Sequence, residues 1–127
     1  MEGKAEDVDI EYVDYTDESM LPDIQKLVAK DLSEPYSVFT YRYFLHQWPS
    51  LCICVYEKPK DSQLGEIIGT IICKADHERD GAFRGYIAML AVSAKHRKKG
   101  IGLRLVSVCI QRMIDIGCNE VSLEAEV

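Results

Sequence analysis

The chain has 127 residues, of which 47% are hydrophobic and 28% are charged, as in a single soluble globular domain. Fifteen basic and twenty-one acidic residues give a net charge of −6, which argues against direct nucleic-acid binding. No apolar run approaches the roughly 20 residues that span a bilayer, so we expect no membrane partner. The acidic, polar residues 1–9 predict a disordered tail rather than a signal peptide.

Hydrophobic periodicity predicts eight elements in the order β-α-α-β-β-β-α-β, an α/β fold with one mixed, mostly antiparallel sheet. The first strand, 9–15, leads into a helix that Thr16 or Asp17 can cap, and a second helix at 40–47 ends before Trp48-Pro49. The remaining predictions are strands at 51–56, 66–74, 84–92 and 120–127, a charged turn at 76–81 and a helix from Gly100 to Gly117. The final strand–helix–strand unit predicts a right-handed crossover, with helices on both faces of the sheet.

The cysteines and histidines form no metal-binding pattern. The cysteine count is odd and the spacing matches no zinc motif, which favours small buried side chains in a reducing cytosol: Cys52, Cys54, Cys73, Cys109 and Cys118. The histidines are isolated and are predicted to lie on the surface or in turns: His46, His77 and His96. We therefore expect no metal cofactor.

The segment between the fourth strand and the last helix carries the strongest functional signal. Five basic residues occupy 95–99, and Arg97-Lys98-Lys99-Gly100-Ile101-Gly102 opens a helix whose first amides lack intrahelical partners. Glycine permits close approach to the backbone and the helix dipole favours negative charge, so this turn is a candidate pyrophosphate cradle. It has neither the Lys-Ser/Thr pair of a P-loop nor a GxGxxG pattern. Taken alone, the basic run could equally be a localisation signal or a solvated turn.

Four sequence runs resemble a known family. Arg97-x-x-Gly100-x-Gly102 is similar to the phosphate-binding signature of the GNAT acetyltransferases, and residues 85–92 resemble the strand before it in protein N-terminal acetyltransferases. Residues 33–44, with Trp48-Pro49 after them, and residues 123–127 resemble the catalytic subunits of NatC-type enzymes. The resemblance covers residues 10–127, which we interpret as one GNAT domain.

The resemblance implies acetyl-CoA as the cofactor, with coenzyme A as the product. The backbone of the fourth strand would pair with the pantetheine arm and the turn would hold the pyrophosphate. A bulge near Met89 and Leu90 would separate the last two strands and seat the thioester between them. The implied cofactor-binding residues are Leu90, Ala91, Val92, Arg97, Lys98, Lys99, Gly100, Ile101, Gly102 and Leu103.

The resemblance also assigns catalytic and substrate residues. Glu124 would be the general base and Tyr86 would order the acceptor amine or a catalytic water, with Glu126 as the rival carboxylate because it shares the face of Glu124. The loop between the first two helices would clamp the peptide through Leu32, Glu34, Pro35, Tyr36 and Tyr41. From the sequence alone, that loop could equally be an ordinary helix–helix connection.

A NatC-type enzyme implies nascent peptide N-termini beginning with Met and a bulky apolar residue, auxiliary subunits, a ribosome association and a cytoplasmic location. A lysine or small-amine acetyltransferase and an inactive acetyl-CoA-binding fragment are the alternatives. GNAT domains ordinarily continue past the fifth strand with a helix and two further strands. This chain stops at Val127, so we expect an incomplete domain whose full product is longer.

Overall fold

The protein is described by a computed structural model that covers residues 9–30, 36–60 and 63–123. These residues form the predicted element order, with 3₁₀ turns at Glu18–Met20, Pro49–Leu51 and Ala94–His96. The strands are β1 (Ile10–Asp14), β2 (Cys52–Glu57), β3 (Ile67–His77), β4 (Phe83–Val92) and β5 (Glu120–Leu123), and the helices are α1 (Leu21–Ala29), α2 (Val38–Gln47) and α3 (Ile101–Asp115). The predicted tail, 1–9, falls almost entirely outside the described residues.

The sheet has the order β1-β2-β3-β4-β5, in which the first four strands are antiparallel and β5 runs parallel to β4. The prediction of a mixed, mostly antiparallel sheet is therefore confirmed. The prediction that a charged turn begins at residue 76 was wrong, because β3 continues to His77 and pairs there with Phe83. The two rings stack with their centroids 4.2 Å apart, which stabilises the extra strand residues.

Side-chain oxygens cap the 3₁₀ turn before α1 and the start of α2. Asp17 accepts a hydrogen bond from the amide of Ser19 at 2.8 Å and caps the 3₁₀ turn that leads into α1. Ser37 accepts from the amide of Thr40, so α2 begins at Val38 and not at the predicted Thr40. These caps orient the two helices that cover one face of the sheet.

Apolar side chains divide into two cores, one on each face of the sheet. α1 and α2 cover the first face, where Ile24, Leu27 and Leu45 pack. α3 covers the second face with a buried stripe of residues four apart: Ile101, Leu105, Cys109 and Met113. All five cysteines are free thiols, and all but the half-buried Cys118 are buried, as predicted. None of the helices in the described part of the chain is long and apolar enough to cross a bilayer.

Gly85 on β4 sets the position of α3 against the sheet. A Cβ at this position would overlap the Met113 sulfur and lie 3.0 Å from its Cγ. We expect Gly85→Val to lower the free energy of unfolding by about 2 kcal/mol, because the extra methyl groups push α3 away from β4. Urea titration measures this change. Gly102→Val is the matched control, since a Cβ there meets only Val92 Cγ2 at 3.7 Å; equal unfolding midpoints in the two variants would contradict the prediction.

Candidate active site

A β-bulge interrupts β4 next to the place where the resemblance implied one. Ile72 of β3 faces Met89 while the next residue, Cys73, faces Ile87, so Ala88 is the extra residue on β4. Within the described residues, β5 pairs with β4 only from Arg84 to Ile87, before the bulge. The described pairing between β4 and β5 thus ends one residue before the bulge at Ala88.

The chain leaves β4 through a tight turn that aims amides outward at the start of α3. The Ser93 amide donates to the Ile68 carbonyl at 2.7 Å, and Lys98 and Gly100 then adopt left-handed conformations with φ of 66° and 81°. The first helical bond of α3 runs from the Arg104 amide to the Gly100 carbonyl at 3.0 Å. The amides of Ile101, Gly102 and Leu103 come before this bond and have no acceptor within the helix. Gly100 has no side chain that could cap them. The resulting array of N–H groups suits an anion.

A cavity of about 250 Å³ lies over these amides. A Cβ built on Gly100 would meet no atom within 4 Å, so the space above this glycine is open. Seven of the ten predicted cofactor residues line the cavity, together with one residue that was not predicted: Val92, His96, Arg97, Lys98, Gly100, Ile101, Gly102 and Leu103. An open glycine-lined cradle at a helix N-terminus, with basic side chains beside it, fits a phosphate-containing ligand.

The remaining three predicted cofactor residues lie next to the cavity without lining it. Ala91 is buried in the core beneath α1 and α2, and Leu90 packs toward α3. Lys99 is exposed on the turn. Side-chain contact with a ligand in the cavity is therefore not expected of these three.

Two side chains brace the turn. Arg97 donates through Nε to the Val92 carbonyl at 3.0 Å, which links the turn to the end of β4. His96 Nε2 lies 3.1 Å from Glu57 Oε2 at the end of β2, and its side chain is only 13% exposed. His96 lies in the 3₁₀ turn Ala94–His96, in agreement with the prediction of a surface or turn position, but its Nδ1 is buried and has no partner among the described residues. Glu57 is 39 residues away in sequence, so no local pattern could have revealed the pair.

Arg97 should contribute to the affinity for the phosphate groups of a ligand. We expect Arg97→Met to weaken acetyl-CoA binding about fivefold to tenfold, because one charge-assisted contact near the cavity is lost. Isothermal titration calorimetry measures the dissociation constant. Arg79→Met, an exposed change in the β3–β4 turn, is the matched control. Equal affinities in the two variants would show that Arg97 braces the turn without attracting the ligand.

The sequence profile of the acetyltransferase (GNAT) family matches residues 21–127, which is most of the chain. The chain belongs to the GNAT family. Human N-alpha-acetyltransferase 30 is 49% identical over 124 residues, which are 97% of this GNAT chain and 32% of that protein. The N-alpha-acetyltransferase MAK3 of Arabidopsis thaliana is 49% identical over 129 residues and is covered to 64% of its length. The chain thus spans between about a third and two thirds of these relatives.

The fold of this GNAT chain also matches solved structures. A chain in the crystal structure of the NatC complex bound to Gag peptide and CoA superposes with a TM-score of 0.83 and 41% identity. That match covers 91% of this chain and 73% of the other. The predicted GNAT fold is therefore confirmed.

The predicted acceptor residues of this GNAT chain are only partly within the described residues. Leu32, Glu34, Pro35 and Glu124 lie outside them. Tyr86 is half-buried on β4, opposite Lys74 of β3 and Ser122 of β5. Among the described residues, no group of three or more His, Cys, Asp or Glu side chains is arranged to hold a metal ion.

Tyr36 and Tyr41, both predicted to form the peptide clamp, do contact each other. Their rings meet edge to face with centroids 6.0 Å apart. Tyr41 is only 1% exposed, and burial raises the pKa of its phenol to about 12, with a smaller contribution from Tyr36. Tyr41 therefore supports Tyr36 from within the core, and Tyr36 is the one of the two that can present a surface to a peptide.

Proposed function

We propose that this chain provides the acetyl-CoA-binding part of a NatC-type protein N-terminal acetyltransferase. The reaction transfers an acetyl group to the α-amine of nascent chains that begin with Met and a bulky apolar residue. The observation that carries the proposal is the open amide cradle at the start of α3, which follows the bulged strand β4. The naming of relatives as N-alpha-acetyltransferases and the resemblance to a NatC structure with peptide and CoA support the same substrate class.

Cofactor binding follows from the main chain. The amides of Ile101, Gly102 and Leu103 would donate hydrogen bonds to the pyrophosphate, and Lys98 would offset part of its charge. The β4 edge beyond the bulge would pair with the pantetheine arm as an added strand does. Acetyl-CoA supplies an activated thioester, so no metal is needed to drive the transfer.

Amine activation requires removal of a proton. An α-amino group has a pKa near 8, so roughly one molecule in ten is neutral at pH 7. Glu124 would take the proton from the amine, directly or through one water, and Tyr86 would hold the amine or that water in place. Tyr36 would form one wall of the site for the first peptide side chain.

The proposal extends to location and assembly. Auxiliary subunits are proposed because the similar solved chain is part of a NatC complex. We further propose that the enzyme acts on nascent chains at the ribosome in the cytoplasm. The net charge of −6 makes direct binding to ribosomal RNA by this chain unfavourable, so the auxiliary subunits would provide the ribosome contact.

A peptide panel tests the proposed function. Purified protein is incubated with acetyl-CoA and with peptides that begin Met-Leu or Ser-Glu, each with a free or a blocked N-terminus and an internal lysine. We expect acetylation of the free Met-Leu peptide at its α-amine only. Acetylation of the internal lysine would favour the small-amine or lysine alternative, and saturable acetyl-CoA binding with no product would favour an inactive cofactor-binding fragment.

A further inference from the structure

Lys74 occupies an unusual position on the face of the sheet that carries Tyr86. It lies on β3 directly opposite Tyr86 of β4. Its ammonium nitrogen is 5.1 Å from the centroid of the Tyr86 ring and 5.4 Å from that of Tyr43 on α2. Both distances are within the range in which a cation is attracted to an aromatic face. One cation thus contacts two tyrosine rings that come from different elements.

Hydrogen bonds hold this ammonium group in place. Lys74 Nζ donates to the Tyr43 hydroxyl at 3.3 Å and lies 3.0 Å from Asp76 Oδ2. The Lys74 side chain is 22% exposed, so water reaches it only in part. Burial alone would lower the pKa of Lys74, but the contacts with Asp76 and Tyr43 outweigh it and the pKa lies above the ordinary value. The contacts with Asp76 and Tyr43 therefore favour the charged ammonium form of Lys74.

Arg84 is the second cation next to Tyr86, and two carboxylates hold it in place. It pairs with Glu78 at 3.0 Å and with Glu120 of β5. Hydrogen bonding to Tyr86, followed by that to Glu120, raises the pKa of Arg84 above its ordinary value. Each of the two cations next to Tyr86 is thus paired with a carboxylate, which leaves little net positive charge to repel an incoming amine.

We propose that Lys74 is a positioning residue for acetyl transfer, which holds the Tyr86 ring so that its hydroxyl meets the acceptor amine or its water. The inference rests on the proposed function and on the role that it gives to Tyr86. Lys74 fixes the ring through its face while Tyr43 and Asp76 fix Lys74. The hydrogen bond from Lys74 to Tyr43 also links α2 to β3, the strand next to the one that carries Tyr86.

Three lysine variants measure the effect. We expect Lys74→Met to lower kcat about tenfold with an unchanged KM for acetyl-CoA, because a cation–π restraint is lost while the cofactor turn is untouched. Lys74→Arg keeps the cation and should retain kcat to within about threefold. Lys26→Met, an exposed change on α1, is the matched control and should behave as the wild type. Wild-type kcat in Lys74→Met would overturn the inference.

A double-mutant cycle separates positioning from direct contact with substrate. If Lys74 acts through the Tyr86 hydroxyl, adding Lys74→Met to Tyr86→Phe should lower kcat by less than about twofold. A full tenfold loss in the Tyr86→Phe background would mean that Lys74 acts on the peptide itself, which overturns the inference. The proposed function fails separately, if the wild-type protein acetylates no peptide α-amine at all.

Nuclear magnetic resonance gives a readout that does not depend on turnover. In protein with labelled tyrosine rings, Lys74→Met should shift the Tyr86 ring resonances, and Lys74→Arg should shift them much less. Tyr56, whose hydroxyl donates to Asp23 at 3.4 Å, is an internal reference whose resonances should stay in place. Unshifted Tyr86 resonances in a folded Lys74→Met protein would overturn the inference.

Discussion

Replacing Gly102 with valine should weaken acetyl-CoA binding at least about 100-fold, because two or more charge-assisted hydrogen bonds to phosphate, each about 1.5–3 kcal/mol, would be blocked. Gly102 lines the cavity, and a Cβ there meets only Val92 Cγ2 at 3.7 Å. A valine side chain would therefore extend from the first turn of α3 into the space that the phosphates need. Isothermal titration calorimetry with acetyl-CoA measures the loss.

The control for this prediction is Ser107→Val, which places the same side chain on the exposed face of the same helix. It should bind acetyl-CoA as the wild type does. Thermal unfolding of both variants shows whether α3 remains folded. Gly102→Val should not lower the midpoint temperature of unfolding, because the added Cβ makes only one ordinary contact, with Val92. Wild-type affinity for acetyl-CoA in a folded Gly102→Val protein would mean that the phosphates do not bind at the start of α3.

Replacing Glu124 with glutamine should lower kcat about 100-fold, the lower end of the range for loss of a general base. The amide has nearly the same shape as the carboxylate but cannot take a proton from the amine. Acetyl-CoA binding should be unchanged, because the residues around the cavity are not altered. Steady-state kinetics with a Met-Leu peptide, together with calorimetry, measures both quantities.

Glu126→Gln is the matched control, because the two glutamates are two residues apart in a segment predicted to be a strand. We expect it to reduce kcat less than threefold, as for a carboxylate beside the reaction that takes no proton. If Glu126→Gln causes the larger loss, the general base is Glu126 and the assignment of Glu124 is wrong. If neither change lowers kcat, no carboxylate in this segment activates the amine.

The position of the turn before α3 could be predicted from the sequence because its determinants are local. Gly100, Gly102 and the basic residues before them stand between a strand pattern and a helix pattern, and the structure places most of them around one cavity. The order of the elements was predictable for the same reason, since apolar periodicity within each segment fixes its type. Strand and helix ends were less certain, as Ser37 and His77 illustrate.

The supporting contacts could not be predicted, because each joins residues that are distant in sequence. His96 meets Glu57 from 39 positions away, and Lys74 meets Tyr43 from 31. Such pairs follow from the register of the strands and the packing of α2, which no local pattern encodes. The burial of Tyr41 is a different case: Tyr41 and Leu45 are four residues apart on α2, and that spacing could have indicated a core stripe.

A crystal structure of the protein with bound coenzyme A would show where the cofactor lies. We expect a diphosphate bound to the amides of residues 101–103, with the pantetheine arm along β4 beyond the bulge at Ala88. Coenzyme A bound elsewhere, or no density for it at the start of α3 under conditions in which calorimetry shows saturation, would mean that this turn is not the pyrophosphate site.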